Sequence, residues 1–326
     1  MTGAFGRLGL GLLRQLLSEG DEIVAFDVDS KAQRRAATKL LASLQTDERS
    51  LIHPSWGDIR NAKNVRDAIE GCDAVIHNAG ILAPASESNP ELSYAVNVDG
   101  TKNVIAACKG SQKQPVLLFA SSISVCGRQG PDGPIATSDT PAIASDHYTA
   151  QKKECEELIR ASGTQWILFR IGASAEPSLT DTDMDTMRMM FEVHPKCRIE
   201  YVHPLDVAIA QSNGVRTPAA VGKVLMIGGG ETCRTTYDAF FNMVFSAAGI
   251  PALPREAFGD APFYSSWMNT SESQALLQFQ TRTLDDVAAQ AERDFRWVRF
   301  FVKPIGPLAR RGLLRYSGPW QRRKQG

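Results

Sequence analysis

Tyr148 and Lys152 stand four residues apart in "YTAQK". On a helix they share one face, so the ammonium can sit beside the phenol. A cation there draws a phenol pKa from about 10 toward neutrality and makes the tyrosine a usable acid or base. Tyr-x-x-x-Lys alone is common on helix surfaces. It gains meaning when a hydroxyl stands ready to orient a substrate oxygen. Ser122 ends the apolar run "PVLLFASS", 26 residues upstream of the tyrosine.

A second constellation opens the chain. Thr2-Gly3-x-x-Gly6-x-x-Gly9 reads as a turn running into a helix. Glycines let the backbone come close to a pyrophosphate, and a helix N-terminus offers free N–H groups and a positive dipole end. The run "EIVAFD" then ends in Asp27, where a carboxylate can accept hydrogen bonds from an adenosine ribose. A carboxylate there repels a 2′-phosphate, so NAD is favoured over NADP. Arg7, Arg34 and Arg35 lie near enough in sequence to act against that preference. The bland readings are a plain helix start and a solvated strand-end carboxylate.

These groups need a scaffold, and the hydrophobic pattern supplies one. Leu8, Leu12, Leu13, Leu16 and Leu17 recur at helical spacing after the glycine turn, with Gly20 to close the helix. Strands are expected at 22–27, near 51–57, at 73–78, at 115–122 and at 166–171. Helices are expected over roughly 30–44, from Pro90 to about Cys108, and through "DHYTAQKKECEELI". Strand and helix in alternation predict a doubly wound parallel sheet covered on both faces. Beyond Ile171 come a polar stretch, "ASAEPSLTDTDMD", and the Met-rich "MDTMRMMFEV", read either as a packing helix or as a lid over an apolar substrate. "RIEYVHPLDVAIA" then reads as strand, turn and helix, and "GKVLMIGGG" as a further strand.

Composition bounds the class. Hydrophobic residues at 43% and charged residues at 22% fit a globular protein with a substantial core. The six cysteines form no CxxC pair, as expected of reduced thiols in a cytoplasmic protein, and no histidine cluster suggests a metal. Net charge is zero but unevenly placed. From Phe295 onward there are nine Arg or Lys and no Asp or Glu, so the first 294 residues carry −9. That negative body argues against a nucleic-acid partner. The tail interleaves its cations with Phe295, Trp297, Phe300, Phe301, Tyr316 and Trp320. It is read either as a peripheral contact with an anionic membrane or as a helix packed on the body with a solvated basic end.

Taken in order, these motifs resemble the extended short-chain dehydrogenases/reductases, the NAD-dependent epimerase/dehydratase family. The resemblance runs from Thr2 to about Val287. "TGAFGRLG" matches the family's glycine turn, and Asp27 its acidic strand end. "GDIRN" resembles the segment that implies Asp58 and Ile59 at the adenine. "HNAG" is similar to the loop beside the nicotinamide ribose. "VNVDGTKNV" looks like the helix whose Asn97 supports a proton relay. "SSISVCG" is similar to the serine motif, which makes Ser122 the catalytic hydroxyl beside Tyr148 and Lys152. "YVHPLDVAIA" resembles the His-x-x-Asp-Val segment. The resemblance implies a cofactor site of Gly3, Gly6, Arg7, Leu8, Asp27, Asp58, Ile59, Asn78, Ala79, Gly80, Tyr148 and Lys152. It implies NAD-dependent hydride transfer at a secondary alcohol or ketone.

Departures narrow the reading. Cys126 replaces the tyrosine of the serine motif, and Ile123 and Ser124 stand where a dehydratase carries an added acid/base pair. Only 33 residues separate Arg170 from His203, short for a nucleotide-sugar site, so a small or apolar substrate is expected. A nucleotide-sugar epimerase is the alternative, and a non-catalytic dinucleotide-binding protein is the competing class. The intact Ser122, Tyr148 and Lys152 set favours an enzyme. The expected division is a cofactor domain over 1–171, a substrate region over 172–294 interleaved with the last sheet elements, and the tail over 295–326. A homodimer is left open. One element is missing: the family's glycine turn hangs from a first strand, and here Met1 alone precedes it. Several apolar residues are expected upstream, and a gap or strained sheet centre beside the turn.

Overall fold

A computed structural model describes residues 1–174 and 184–325; most of the polar stretch after Ile171 lies outside the described residues. Six parallel strands form the main sheet: β1 (Ile23–Asp27), β2 (Ile52–Trp56), β3 (Ala74–His77), β4 (Val116–Ser122), β5 (Trp166–Ile171) and, beyond β6 (Arg198–Glu200), β7 (Val224–Ile227). β1 pairs with β2, and the remaining order is β3-β4-β5-β7. The two blocks meet only at Thr2, which bridges to Phe26 on one side and His77 on the other. Thr2 N–H donates to Ile76 O at 3.0 Å and Phe26 N–H to Met1 O at 2.9 Å. Beside this stub lies a small gap lined by Met1, Phe26, Val65, Ile69 and Val75. The Met1 amino group donates to Val24 O at 2.7 Å, and burial pushes its pKa down to about 6.

Each face of the sheet is covered as the apolar spacing requires. Leu12, Leu13, Leu16 and Leu17 of helix Arg7–Ser18 pack with Val207 and Ala210 of helix Pro204–Arg216 against Leu118 and Phe169. On the other face, Val65, Val104, Cys155 and Ile159 pack against Leu117, Phe119 and Leu168. The helix expected from Pro90 to Cys108 is interrupted. It runs as Pro90–Tyr94, a π-helical turn over Ala95–Asp99, and Gly100–Gly110. Such turns often mark functional positions, and this one holds Asn97.

The C-terminal region is built on a short antiparallel pair, β6 with β8 (Arg234–Thr236), and a cluster that includes Phe191, Ile199, Tyr237, Phe245 and Phe258. The tail forms helices Arg296–Val302, Gly306–Leu313 and Gly318–Gln325. Its Leu313, Leu314, Tyr316 and Trp320 join that cluster. No helix among the described residues is long and apolar enough to cross a membrane.

Candidate active site

The glycine turn comes close to the loop after β3. Gly3 has φ +66°, and a Cβ there would lie 2.8 Å from Ala79 N, so the backbone approach needs glycine. Gly6 precedes helix Arg7–Ser18 with no side-chain cap. The first N–H groups, those of Arg7 and Leu8 among them, therefore have no intrahelical acceptor. A turn of this kind is an anion cradle. Asp27 closes it from β1: the buried carboxylate accepts from Phe5 N at 2.7 Å and from Val28 N at 2.8 Å. Burial raises its pKa, and the two backbone N–H groups oppose that shift. Arg34, weighed above as a counter to Asp27, forms a 2.5 Å ion pair with Asp29 and lies 4.7 Å from the centre of the Trp56 ring.

Asp58 and Ile59 follow β2 and differ in setting. Asp58 is partly exposed and held by Arg60, which keeps its carboxyl below the usual carboxylate range. The Ile59 side chain is buried beneath Gly100, and its carbonyl accepts from Asn103 at 2.9 Å. Past β3, the Asn78 amide exchanges two hydrogen bonds with Gln211, at 3.1 and 2.6 Å. Gly80 lies over Asn97 and Lys152; a Cβ there would meet Asn97 Oδ1 at 3.1 Å and Lys152 Nζ at 3.9 Å.

Ser122, Tyr148 and Lys152 meet at the carboxyl end of β4. Helix His147–Arg160 starts at Asp146, whose carboxylate accepts from Thr149 N at 2.8 Å. Glu87 also receives the N–H groups of His147 and Tyr148, at 3.1 and 3.0 Å. The tyrosine is thus fixed by two carboxylates at its own helix start. The Ser122 hydroxyl stands close enough to the phenol to pull its pKa down. Ser122 Oγ also accepts from Ser124 N at 3.2 Å and from Ser124 Oγ at 2.9 Å. Lys152 Nζ donates to Ala120 O at 2.7 Å and lies 4.5 Å from the Phe119 ring centre and 5.9 Å from that of Tyr148.

One expectation is corrected here. Lys152 was expected to draw the phenol toward neutrality, yet burial pushes Tyr148 up to about 12, with the Ser122 hydrogen bond opposing. Two reasons are on view: the ammonium points to Ala120 O, and burial lowers its own pKa. Asn97 is bonded on both amide atoms to protein. Its amide accepts from Ile81 N at 2.7 Å and donates to Ile81 O at 2.9 Å and to Gln151 Oε1 at 2.7 Å. It clamps the loop over Lys152 to the tyrosine helix. Gln151 and Glu87 were missed in the sequence. The signal for Gln151 was a polar residue beside Lys152 on a helix whose inward face should be apolar.

The two histidines of these motifs are engaged in structure. His77 is fully buried between the Thr2 and Thr101 hydroxyls, at 2.7 and 3.0 Å, and burial lowers its pKa to about 3. His203 caps helix Pro204–Arg216 by accepting from Leu205 N at 3.1 Å. Among the described residues no group of His, Cys, Asp and Glu could hold a metal ion.

A glycine cradle on a doubly wound sheet, with a Ser-Tyr-Lys set at the carboxyl end of β4, defines an extended short-chain dehydrogenase/reductase fold and site. Residues 1–168 match the 3-beta hydroxysteroid dehydrogenase/isomerase family, and the chain belongs to it. Relatives include D-erythronate dehydrogenase of Cupriavidus necator, 30% identical over 160 residues, or 49% of this chain and 48% of that protein. The human 3 beta-hydroxysteroid dehydrogenase type 7 is 34% identical over 166 residues, 49% of this chain and 42% of its own. The chain thus matches about half the length of these curated relatives. Among solved structures, a UDP-glucuronic acid 4-epimerase mutant from Bacillus cereus, in complex with NAD and a fluorinated UDP-sugar, superposes with a TM-score of 0.74 at 19% identity. That likeness covers 90% of this chain and 97% of the other. A short-chain dehydrogenase/reductase superfamily protein from Agrobacterium tumefaciens with bound NAD gives 0.71 at 18% identity, over 93% and 98%. At these identities the likeness speaks to the fold.

Proposed function

We propose that this protein is an NAD-dependent oxidoreductase acting at a secondary alcohol or ketone of a small or apolar molecule. The observation that carries the reading is the convergence of the Ser122 hydroxyl, the Tyr148 phenol and the buried Lys152 ammonium at the end of β4. The chain's own residues fit a dinucleotide: Gly3 lets the turn pack close against the loop after β3, and the uncapped helix start at Gly6 can receive a diphosphate. Arg7 and Leu8 would contribute backbone N–H groups, Asp27 the ribose contact, Asp58 and Ile59 the adenine contact, and Asn78, Ala79 and Gly80 the nicotinamide side. The cofactor, when bound, supplies the hydride acceptor or donor.

Ser122 orients the substrate oxygen and Tyr148 exchanges its proton. With a phenol pKa near 12, Tyr148 holds that proton at neutral pH and is set to deliver it to a carbonyl oxygen. Lys152 holds the ribose and favours the phenolate as it forms. Asn97 is a positioning residue that fixes the loop above Lys152. An apolar substrate is supported by two exposed apolar side chains, Leu82 and Ile143. Leu82 follows the 78–81 loop, and Ile143 packs at Gly127 with its N–H 2.7 Å from Val125 O. In this reading 1–171 is the cofactor unit, 172–294 shapes the substrate side, and the protein works in the cytoplasm, where its six free thiols persist.

A panel of sterols, small hydroxy acids and UDP-sugars with NAD and NADP, followed by reduced-cofactor absorbance and product analysis, tests this. Reduction of NAD with a sterol or a small alcohol supports the reading. Epimerised UDP-sugar with no net reduction overturns it in favour of an epimerase, and NAD binding without turnover of any class favours a non-catalytic binder.

A further inference from the structure

The tail is fastened at both ends and bare in the middle. Phe295 is buried with Val244, Ala248 and Ala291, and the returning segment inserts Leu314 among Phe191, Leu253 and Phe258. Between these anchors, Trp297, Phe300, Phe301 and Leu308 are 66%, 69%, 69% and 67% exposed, and Ile305 is also out in solvent. Trp297, Phe300 and Phe301 fall at i, i+3 and i+4 of helix Arg296–Val302, so they share its outward face. Proteins rarely leave so many large apolar side chains together in water without a partner for them.

The charges around the stripe select the partner. Lys303, Arg310, Arg311, Arg315 and Arg323 have no carboxylate in ion-pair reach among the described residues; the ion pairs in the tail are Arg299 with Glu292 and Arg322 with Glu192. With nine cations and no acid in 295–326, two copies meeting through this face would repel. A polynucleotide would be opposed by the negative body and has no use for an aliphatic and aromatic stripe this size. Aromatic rings seated at headgroup level, with cations facing anionic lipid, satisfy both features at once.

We infer that the segment from Trp297 to Arg315 is a docking surface for an anionic lipid bilayer, on which the protein lies peripherally. This surface is separate from the reaction proposed above, and its test needs no substrate. The full chain is sedimented with vesicles of phosphatidylcholine alone and with phosphatidylserine added, as wild type, as W297S/F300S/F301S and as R310E/R311E. The substituted side chains are outside the core, and circular dichroism and the thermal midpoint check that each variant is folded. Wild type is expected to partition at least about tenfold more strongly onto the anionic vesicles, with either set of substitutions removing most of that gain. High salt should weaken it, since exposed charges are screened. Equal partitioning of wild type and the folded aromatic variant overturns the proposal. So does a dimer, seen by sedimentation velocity, that needs these aromatics while vesicles go unbound, or binding to duplex DNA in place of vesicles.

Discussion

Buried polar groups in the two halves of this molecule are completed differently. In the C-terminal region Glu200 accepts from Met268 N at 2.9 Å, Gly230 N at 3.2 Å and Arg234 Nε at 2.9 Å. Asp206 accepts from the Thr281 hydroxyl at 2.7 Å, from Arg282 N at 3.1 Å and from the Arg282 guanidinium. At the end of β4, by contrast, Lys152 makes one hydrogen bond of the three its ammonium can offer, to Ala120 O. Ser122 Oγ accepts from Ser124 N and Ser124 Oγ, and the Tyr148 phenol stands beside it. Saturated buried charge holds architecture together; buried charge with capacity to spare costs stability, and a site that keeps it has something else to bind.

The comparison can be broken or sharpened by substitution. Asp206→Ala removes the buried acceptor of a half-buried arginine, a threonine hydroxyl and two backbone N–H groups and should cost about 3–5 kcal/mol. A urea titration would show it, with affinity for NAD per folded molecule unchanged; a loss under about 1 kcal/mol would mean that the pair is not structural. His77 belongs to the saturated class although it lies near the site. Its folded pKa, near 3, is below the unfolded value near 6.5, so its contribution is present above pH 6.5 and lost as pH falls toward 3. Over that window it contributes up to about 5 kcal/mol, and His77→Gln should flatten the acid side of the stability profile. Lys152→Met should be the smallest in stability, within about 1 kcal/mol of wild type, because relief from desolvation offsets the lost hydrogen bond. The same variant should lose turnover, and that split between stability and activity separates the two classes.

Much of the first half was legible because its signals are local. "PVLLFASS" and "WILFRI" contain β4 and β5 almost residue for residue, and the helix bearing Tyr148 and Lys152 forms as read. Each is an apolar run or a helix-period pattern bounded by clear caps. The π-helical turn at Asn97 was not legible, since it depends on the loop it clamps. Nor was β8: a three-residue strand with half-buried side chains has no period to detect, and its partner β6 is 34 residues away in the paired residues Glu200 and Arg234. The direction of the Tyr148 shift failed for a related reason. Helical spacing brings Lys152 near, but only tertiary contact decides that its ammonium turns to Ala120 O.

The central claim is that Tyr148 moves a proton at this site and does not hold the fold or the dinucleotide. Tyr148→Phe removes the phenolic oxygen and keeps the ring. With the substrate found in the alcohol and ketone panel, single-turnover rates should fall by about 10²–10⁴ while NAD affinity by calorimetry stays within about twofold. A variant that keeps more than about a tenth of the wild-type rate would contradict the account.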